Sequence, residues 1–302
     1  MKSPIVILGF GRSGTTWVSD IVSKIYGGLI LFEPFHPSVT DRSKQFSYLT
    51  ITDDENSAIL KEYFENLLNK KHRKNWLLRN HIPTRIEDAD PEFINLIWKE
   101  CSIVGFKEIR SNFIIPWLKD NLNAKIIFII RNPLAVVSSI KNRLNFWEFG
   151  WQETFQIFLE KTIYNDYYKK HKISSCIDIL KRFKSDIEKV GFMWAITHAI
   201  VLPELKKQNI PIFYYEDFYK NPFSTVRTLF RYLGEDQIGM HPSYLFTPSM
   251  TTLKTIHGLK NMDQKLNFKN LSFFWEETLS RKEVDLVLDI VSLFGINIYN
   301  ND

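Results

Sequence analysis

Cysteine is nearly absent from this sequence: Cys101 and Cys176 are the only two in 302 residues, with no CxxC pair and no histidine at metal-ligand spacing beside them. A disulfide scaffold and a zinc centre are both unsupported on that count, and a reducing compartment fits. No apolar run reaches the roughly 18 residues of a membrane span. Only Met1 to Pro4 precede the first apolar stretch, which leaves no room for a signal peptide. The expectation is a cytoplasmic protein with no membrane span and no metal. Charge of one sign is scarce as well. The net excess of +5 suits an anionic ligand, but the basic clusters are short. Lys70-Lys71-His72-Arg73-Lys74 reads as a solvated helix end, so nucleic acid is not indicated as a partner. Internal repeats, low-complexity tracts and Gly/Ser linkers are missing too. With 44% hydrophobic residues the chain can bury a large core, and one elaborated domain over residues 1–302 is expected.

What is present begins at residue 5. Ile5-Val6-Ile7-Leu8 is the pattern of a strand buried on both faces. The loop Gly9-Phe10-Gly11-Arg12-Ser13-Gly14-Thr15-Thr16 follows, then a helix with Val18, Ile21, Val22 and Ile25 on one face, stopped by Gly27-Gly28. A Gly-rich turn feeding a helix N-terminus offers unpaired backbone N–H groups and the positive end of a dipole, which is a cradle for phosphate. Gly9 and Gly14 match the first and second glycines of the nucleotide P-loop, but Thr15 stands where that motif has its lysine. The cation is Arg12, inside the loop. That weakens a nucleoside triphosphatase reading and suits a ligand with a 5'-phosphate beside another anionic group. The alternative is a strand-to-helix connection that holds no ligand.

Further strands are expected near residues 29–32, 103–106, 125–130 and 210–214, alternating with helices, which argues a parallel sheet covered on both faces. Each strand end carries polar residues, and ligands of such sheets lie outside the carboxyl ends of the strands. Glu33 ends the second strand, with His36 three residues on; a general base and a strand-end ion pair are both open readings. Lys107 and Arg110 follow the third strand, either as a site for a multiply charged anion or as partners of Glu108. Arg131 ends the fourth strand; Asn132 caps, and Pro133 begins, a helix of Val136, Val137, Ile140 and Leu144 that carries Ser139. Residues 38–102 read as a helical insertion that contributes to an acceptor pocket, with His81 in it as an ordinary surface or core histidine. A second insertion, 146–208, bears the aromatic run Phe146, Trp147, Phe149 and Trp151, and later Phe192 and Trp194 ahead of a helix ending near Gln208. Helical spacing favours core for these rings over sugar stacking. The core is placed at 1–235. After it, residues 236–302 are expected as a polar lid, with Ser249, Thr251, Thr252, Lys254, Lys260 and Lys265, and an amphipathic helix of Val284, Leu288 and Val291.

Gly11-Arg12-Ser13-Gly14-Thr15-Thr16-Trp17 resembles the 5'-phosphosulfate loop of sulfotransferases, which use 3'-phosphoadenosine 5'-phosphosulfate (PAPS) as donor and release 3',5'-adenosine bisphosphate (PAP). Arg131-Asn132-Pro133 with Ser139 resembles their 3'-phosphate motif, in which arginine and serine hold that phosphate. Phe32-Glu33-Pro34 resembles the matching stretch of carbohydrate 6-O-sulfotransferases, and tyrosylprotein sulfotransferases also place a glutamate at similar spacing from the loop arginine. Tyr215-Glu216-Asp217, Asn221-Pro222 and Tyr232-Leu233-Gly234 resemble a third shared stretch, of structural role, whose carboxylates cap a helix and fix a loop.

The resemblance covers most of residues 5–234. It implies a three-layer α/β fold of P-loop type and a PAPS-dependent sulfotransferase acting on a hydroxyl, in particular of a carbohydrate. In that reading Glu33 is the base, and Arg12 and Lys107 act on the moving sulfuryl group. Gly11 to Trp17, Arg131 and Ser139 bind the donor; Glu33, His36, Lys107 and Arg110 face the acceptor, and Trp194 neighbours the adenine. There are two departures: no anchor helix like that of the Golgi glycan enzymes, and no arginine-lysine-glycine motif near the C-terminus. The rivals are a P-loop small-molecule kinase and a non-enzymatic nucleotide-binding module.

Overall fold

Five short stretches of mostly branched or aromatic apolar residues become the strands of one sheet that is covered on both faces. The computed structural model of the chain describes residues 3–37, 39–50, 53–72, 74–79, 90–141, 151–163, 176–235, 245 and 275–299. The strands are β1 (Ile5–Gly9), β2 (Leu29–Phe32), β3 (Ile103–Glu108), β4 (Lys125–Ile130) and β5 (Ile212–Tyr214). Their order is β2-β3-β1-β4-β5 and every pairing is parallel. The helices are α1 (Thr15–Tyr26), α2 (Ser43–Phe46), α3 (Asp54–Leu68), α4 (Lys74–Leu77), α5 (Pro91–Glu100), α6 (Ile115–Leu122), α7 (Pro133–Lys141), α8 (Trp151–Lys161), α9 (Cys176–Leu180), α10 (Asp186–Lys207), α11 (Asp217–Lys220), α12 (Pro222–Tyr232), α13 (Trp275–Thr278) and α14 (Arg281–Ser292). No helix among the described residues is long and apolar enough to cross a membrane.

The alternation of β1 divides the core. Ile5 and Ile7 face one cluster with Trp17, Val18, Ile21 and Val22 of α1 and Val226, Leu229 and Phe230 of α12. Val6 and Leu8 face a larger cluster that takes in α3, α6, α7, α10 and α14. The expected three-layer α/β architecture is the observed one. Because the chain passes from β3 on one side of β1 to β4 on the other, the carboxyl end of β1 is where a crevice opens in such sheets.

Four local expectations change. The third strand runs on through Lys107 and Glu108, so these polar residues belong to the strand instead of following it. The last strand starts at Ile212, later than the sequence pattern suggests. Phe192 and Trp194 lie inside a 22-residue helix, α10, which begins with a capping box: the Ser185 hydroxyl accepts from the Glu188 N–H, and the Glu188 carboxylate accepts from the Ser185 N–H. Trp194 is fully buried in the core, 4.0 Å from the His198 ring, and is no adenine neighbour there. Finally, α14 buries Val287, Ile290 and Val291, while Leu288 is exposed. Leu144, His81, the Phe146–Phe149 aromatics and the polar segment from Ser249 to Lys265 lie outside the described residues.

His198 gives a pH dependence. Its Nδ1 lies 2.7 Å from the Trp194 carbonyl, and burial pushes the imidazole down to about 4. The folded value is below the ordinary histidine value near 6.5, so the stabilisation is complete above about pH 6.5 and is lost as pH falls toward 4. The melting temperature is expected to drop across that window, and His198→Leu to flatten part of the drop. Identical slopes for the two proteins would show that His198 titrates normally.

Candidate active site

The loop after β1 turns on two residues in the left-handed region, Arg12 (φ 69°) and Gly14 (φ 86°). The Ser13 N–H donates to the Phe10 carbonyl at 3.1 Å, and α1 starts at Thr15. Only glycine fits at position 14: its φ is positive, and a Cβ would lie 2.1 Å from the Tyr215 ring. Thr15, Thr16 and Trp17 are buried. Trp17 stacks on Tyr219 at 6.0 Å and meets Phe218 edge-on at 5.5 Å, which fixes the loop to the connection after β5.

Arg131, at the end of β4, donates from its guanidinium to the Arg12 carbonyl at 2.9 Å and lies 4.5 Å over the Tyr215 ring. Arg12 Nε donates to the Ser139 hydroxyl at 3.0 Å. Arg12, Arg131 and Ser139 are therefore one group, although 127 residues separate Arg12 from Ser139. The Asn132 side chain accepts from the Leu134 N–H at 2.8 Å, and Glu216 accepts from the Asn132 N–H at 2.9 Å and the Tyr299 hydroxyl at 3.0 Å. Glu216 thus fixes the start of α7; the expected capping of the helix that follows it is not found, since neither α11 nor α12 has a side-chain cap hydrogen bond. The Ser13 hydroxyl is fully buried and has no hydrogen-bond partner among the described residues. An orphaned hydroxyl, a helix N-terminus and two arginines in one place fit a donor with phosphates at both ends.

Across β1, the ends of β2 and β3 hold a second group. Glu33, at φ 41°, pairs with Lys107 through one carboxylate oxygen and with Arg110 through the other at 2.8 Å. All three are buried. Burial alone would raise the Glu33 carboxyl, but Lys107 and Arg110 outweigh it and hold it well below the usual carboxylate range. Lys107 also lies 4.3 Å over the Phe32 ring. His36 stacks flat on Trp76 at 3.6 Å, and burial with Arg110 nearby pushes its imidazole down to about 3. Tyr48 is pushed up to about 12 by burial. On α1, burial raises Asp20 to about 7 against the fields of Lys24 and Lys107.

The segment after β3, which carries Arg110, approaches the loop. Asn112 donates to the Gly9 carbonyl at 3.2 Å, and a Cβ on Gly11 would lie 3.5 Å from the Ile109 side chain. Beside Arg110, a small open cleft is lined by Pro37, Ser47, Tyr48, Thr154 and Ile157, together with Lys44 and Glu153, which pair with each other. The structure thus gathers the sequence candidates into Arg12, Arg131 and Ser139 on one side of the loop and Glu33, His36, Lys107 and Arg110 on the other. Glu108, which the sequence offered as an ion-pair partner, belongs to the second set and lies 3.7 Å from the Arg110 guanidinium; Tyr48 and Asp20 belong to it without having been singled out. Glu108 had a signal, as a carboxylate between two cations; Tyr48 and Asp20 had none.

A family model described as a sulfotransferase domain matches residues 2–275. A search of curated proteins finds no match. Similar solved structures include the mouse sulfotransferase SULT7A1 complexed with PAP, at 13% identity and a TM-score of 0.43, covering 100% of this chain and 86% of that one. The sulfotransferase domain from the curacin biosynthetic pathway is 12% identical with a TM-score of 0.46, covering 97% of each chain. The sulfotransferase domain from the Synechococcus PCC 7002 olefin synthase is 14% identical with a TM-score of 0.43, covering 98% of this chain and 95% of that one.

Proposed function

The chain belongs to the sulfotransferase domain family, and from that premise we propose that it is a PAPS-dependent enzyme that sulfates a hydroxyl of a carbohydrate acceptor, with the roles divided across β1. When bound, PAPS supplies a sulfuryl group activated by a phosphate leaving group. The N–H groups opening α1 and the buried Ser13 hydroxyl hold the 5'-phosphate. Arg131 and Ser139 hold the 3'-phosphate, and Arg12 and Lys107 neutralise charge on the moving group. Glu33 removes the acceptor proton, and Arg110 fixes its carboxylate. Paired with two cations, Glu33 is a weak base at rest; anionic charge beside Lys107 takes a share of that cation's field and returns basicity to Glu33.

The observation that carries this reading is Glu33 on the cleft side of the loop, bound by the same Arg110 that forms part of the cleft wall. Ser47, Tyr48 and Thr154 supply hydroxyls, and the paired Lys44 and Glu153 leave the rim without net charge, which supports a neutral polyol over a polyanion. The low cysteine content supports a cytoplasmic setting.

Thermal shifts with PAP, ADP and ATP test the donor. PAP at about 100 times its Kd stabilises by about 2.7 kcal/mol, and equal shifts with ADP would return the kinase or nucleotide-module readings. Radiolabelled PAPS offered with N-acetylglucosamine, 1-octanol, p-nitrophenol and tyrosinamide tests the acceptor; label on octanol or phenol and none on the sugar would sink the carbohydrate assignment.

Arg12 has a separable role. Backbone N–H groups already hold the 5'-phosphate, so Arg12→Ala is expected to lower turnover more than donor affinity. Loss of PAP binding with intact turnover at saturating donor would reverse that division.

A further inference from the structure

Glu108 has no solvent exposure and engages both strand ends of the acceptor side. One of its carboxylate oxygens accepts from the Phe35 N–H at 2.6 Å. The other accepts from the Ile109 N–H at 2.7 Å and the Arg110 N–H at 3.0 Å, and lies 3.7 Å from the Arg110 guanidinium. The Phe35 amide is available because of the turn that Glu33 starts. His36 N–H closes that turn on the Glu33 carbonyl at 2.9 Å, Pro34 has no N–H, and Phe35 anchors the turn in the core beside Phe46, Tyr63 and Phe64. One carboxylate therefore sets the turn that carries Glu33 against the backbone that carries Arg110.

Resting on the sulfuryl-transfer reading, we propose that Glu108 is a positioning residue. It clamps the Glu33 turn to the end of β3, and it supplies the second negative charge that balances Lys107 and Arg110 around Glu33. Glu33 and Glu108 against Lys107 and Arg110 make a buried quartet of two carboxyls and two basic groups; burial raises the Glu108 carboxyl, and Arg110 and the Phe35 and Ile109 amides act against that rise. The other titratable groups facing it are His36 of the turn, Tyr48 of the segment after α2, Tyr63 of α3, which faces Glu108, and Asp20 of α1, which faces Lys107. Without the Glu108 charge the two cations act on Glu33 alone and make it a weaker base. Without the clamp the Glu33 carboxylate is misplaced relative to the loop, and a displacement of about 1 Å can cost about 100-fold in rate.

The test uses two variants of the full chain. Glu108→Gln removes the charge and turns an NH₂ toward an amide it cannot accept from; Glu108→Asp keeps the charge and shortens the reach. PAP affinity is measured by calorimetry, amide hydrogen exchange is followed over residues 33–36, and the pH profile of transfer from radiolabelled PAPS is recorded with N-acetylglucosamine. PAP affinity is expected within about twofold of wild type in both variants, with turnover lower by about 10- to 100-fold. Exchange in the turn is expected to rise by about tenfold or more in both. The acidic limb moves to lower pH in Glu108→Gln and stays in place in Glu108→Asp. Wild-type exchange and turnover in both variants overturn the proposal, as does a pair of variants that no longer bind PAP, since Glu108 would then be needed for folding alone. If wild type itself neither binds PAP nor transfers sulfate to any acceptor offered, the sulfuryl-transfer reading fails, and the exchange data still decide the clamp.

Discussion

Glu33→Gln is expected to reduce turnover by about 10²- to 10⁴-fold, the contribution of a positioned general base, while PAP affinity stays nearly unchanged. The expectation follows from where the carboxylate is held. Glu33 ends β2 beside the loop, bound through both oxygens by Lys107 and Arg110 and next to the cleft that Arg110 lines. His36 is stacked on Trp76 with its imidazole pushed down to about 3, while Lys107 and Arg110 hold the Glu33 carboxyl well below the usual range, so both are weak bases at rest and position beside the loop favours Glu33. His36→Asn should therefore cost far less. Glutamine keeps the shape of Glu33 and a hydrogen-bond acceptor but leaves two buried cations without a counter-charge, and breaking a buried pair typically destabilises by about 3–5 kcal/mol. Turnover must then be compared at saturating PAPS and below the melting transition of the variant. Near-normal turnover in Glu33→Gln, with activity abolished in His36→Asn, would pass the base to His36 and leave Glu33 as a structural carboxylate.

The sheet was legible because its strands are apolar runs with nothing polar inside them: Ile5 to Leu8 and Ile126 to Ile130 are entirely buried. The end of β3 was not, because Lys107 and Glu108 break that pattern; they stay in the strand because their charges are neutralised by Glu33, Arg110 and backbone amides. The start of α10 had a readable signal in Ser185 and Glu188, and Trp194 turned out to be core because the helix begins earlier than its aromatics. In the site, the loop was legible from local spacing, since Gly14 and Arg12 take conformations set within a few residues. The hydrogen bond of Arg12 to Ser139 and that of Glu108 to the Phe35 amide were not, because each joins residues 127 or 73 positions apart and exists only once the sheet has formed. Motif spacing brought Arg131 and Ser139 to attention as a pair; it held no information that both converge on Arg12.

Arg131→Ala is expected to weaken PAP binding by roughly 10- to 150-fold and ADP binding much less. PAP carries a 3'-phosphate that ADP lacks, and losing a charge-assisted partner of such a group costs about 1.5 to 3 kcal/mol. Arg131 has the position for this at the end of β4, one residue before the cap of the helix that carries Ser139. It also has a structural duty, holding the Arg12 carbonyl at 2.9 Å and covering Tyr215, which packs on Gly14. The two duties separate by ligand. A collapsed loop weakens every ligand with a 5'-phosphate, so ADP would fall with PAP; a missing 3'-phosphate partner weakens PAP alone. Calorimetric titration of wild type, Arg131→Ala and Arg131→Lys with both nucleotides makes the comparison. Lysine restores charge without the planar fork and should recover part of the PAP affinity. Equal losses for PAP and ADP, or no loss for either, would place the 3'-phosphate elsewhere and reduce Arg131 to a support for the loop.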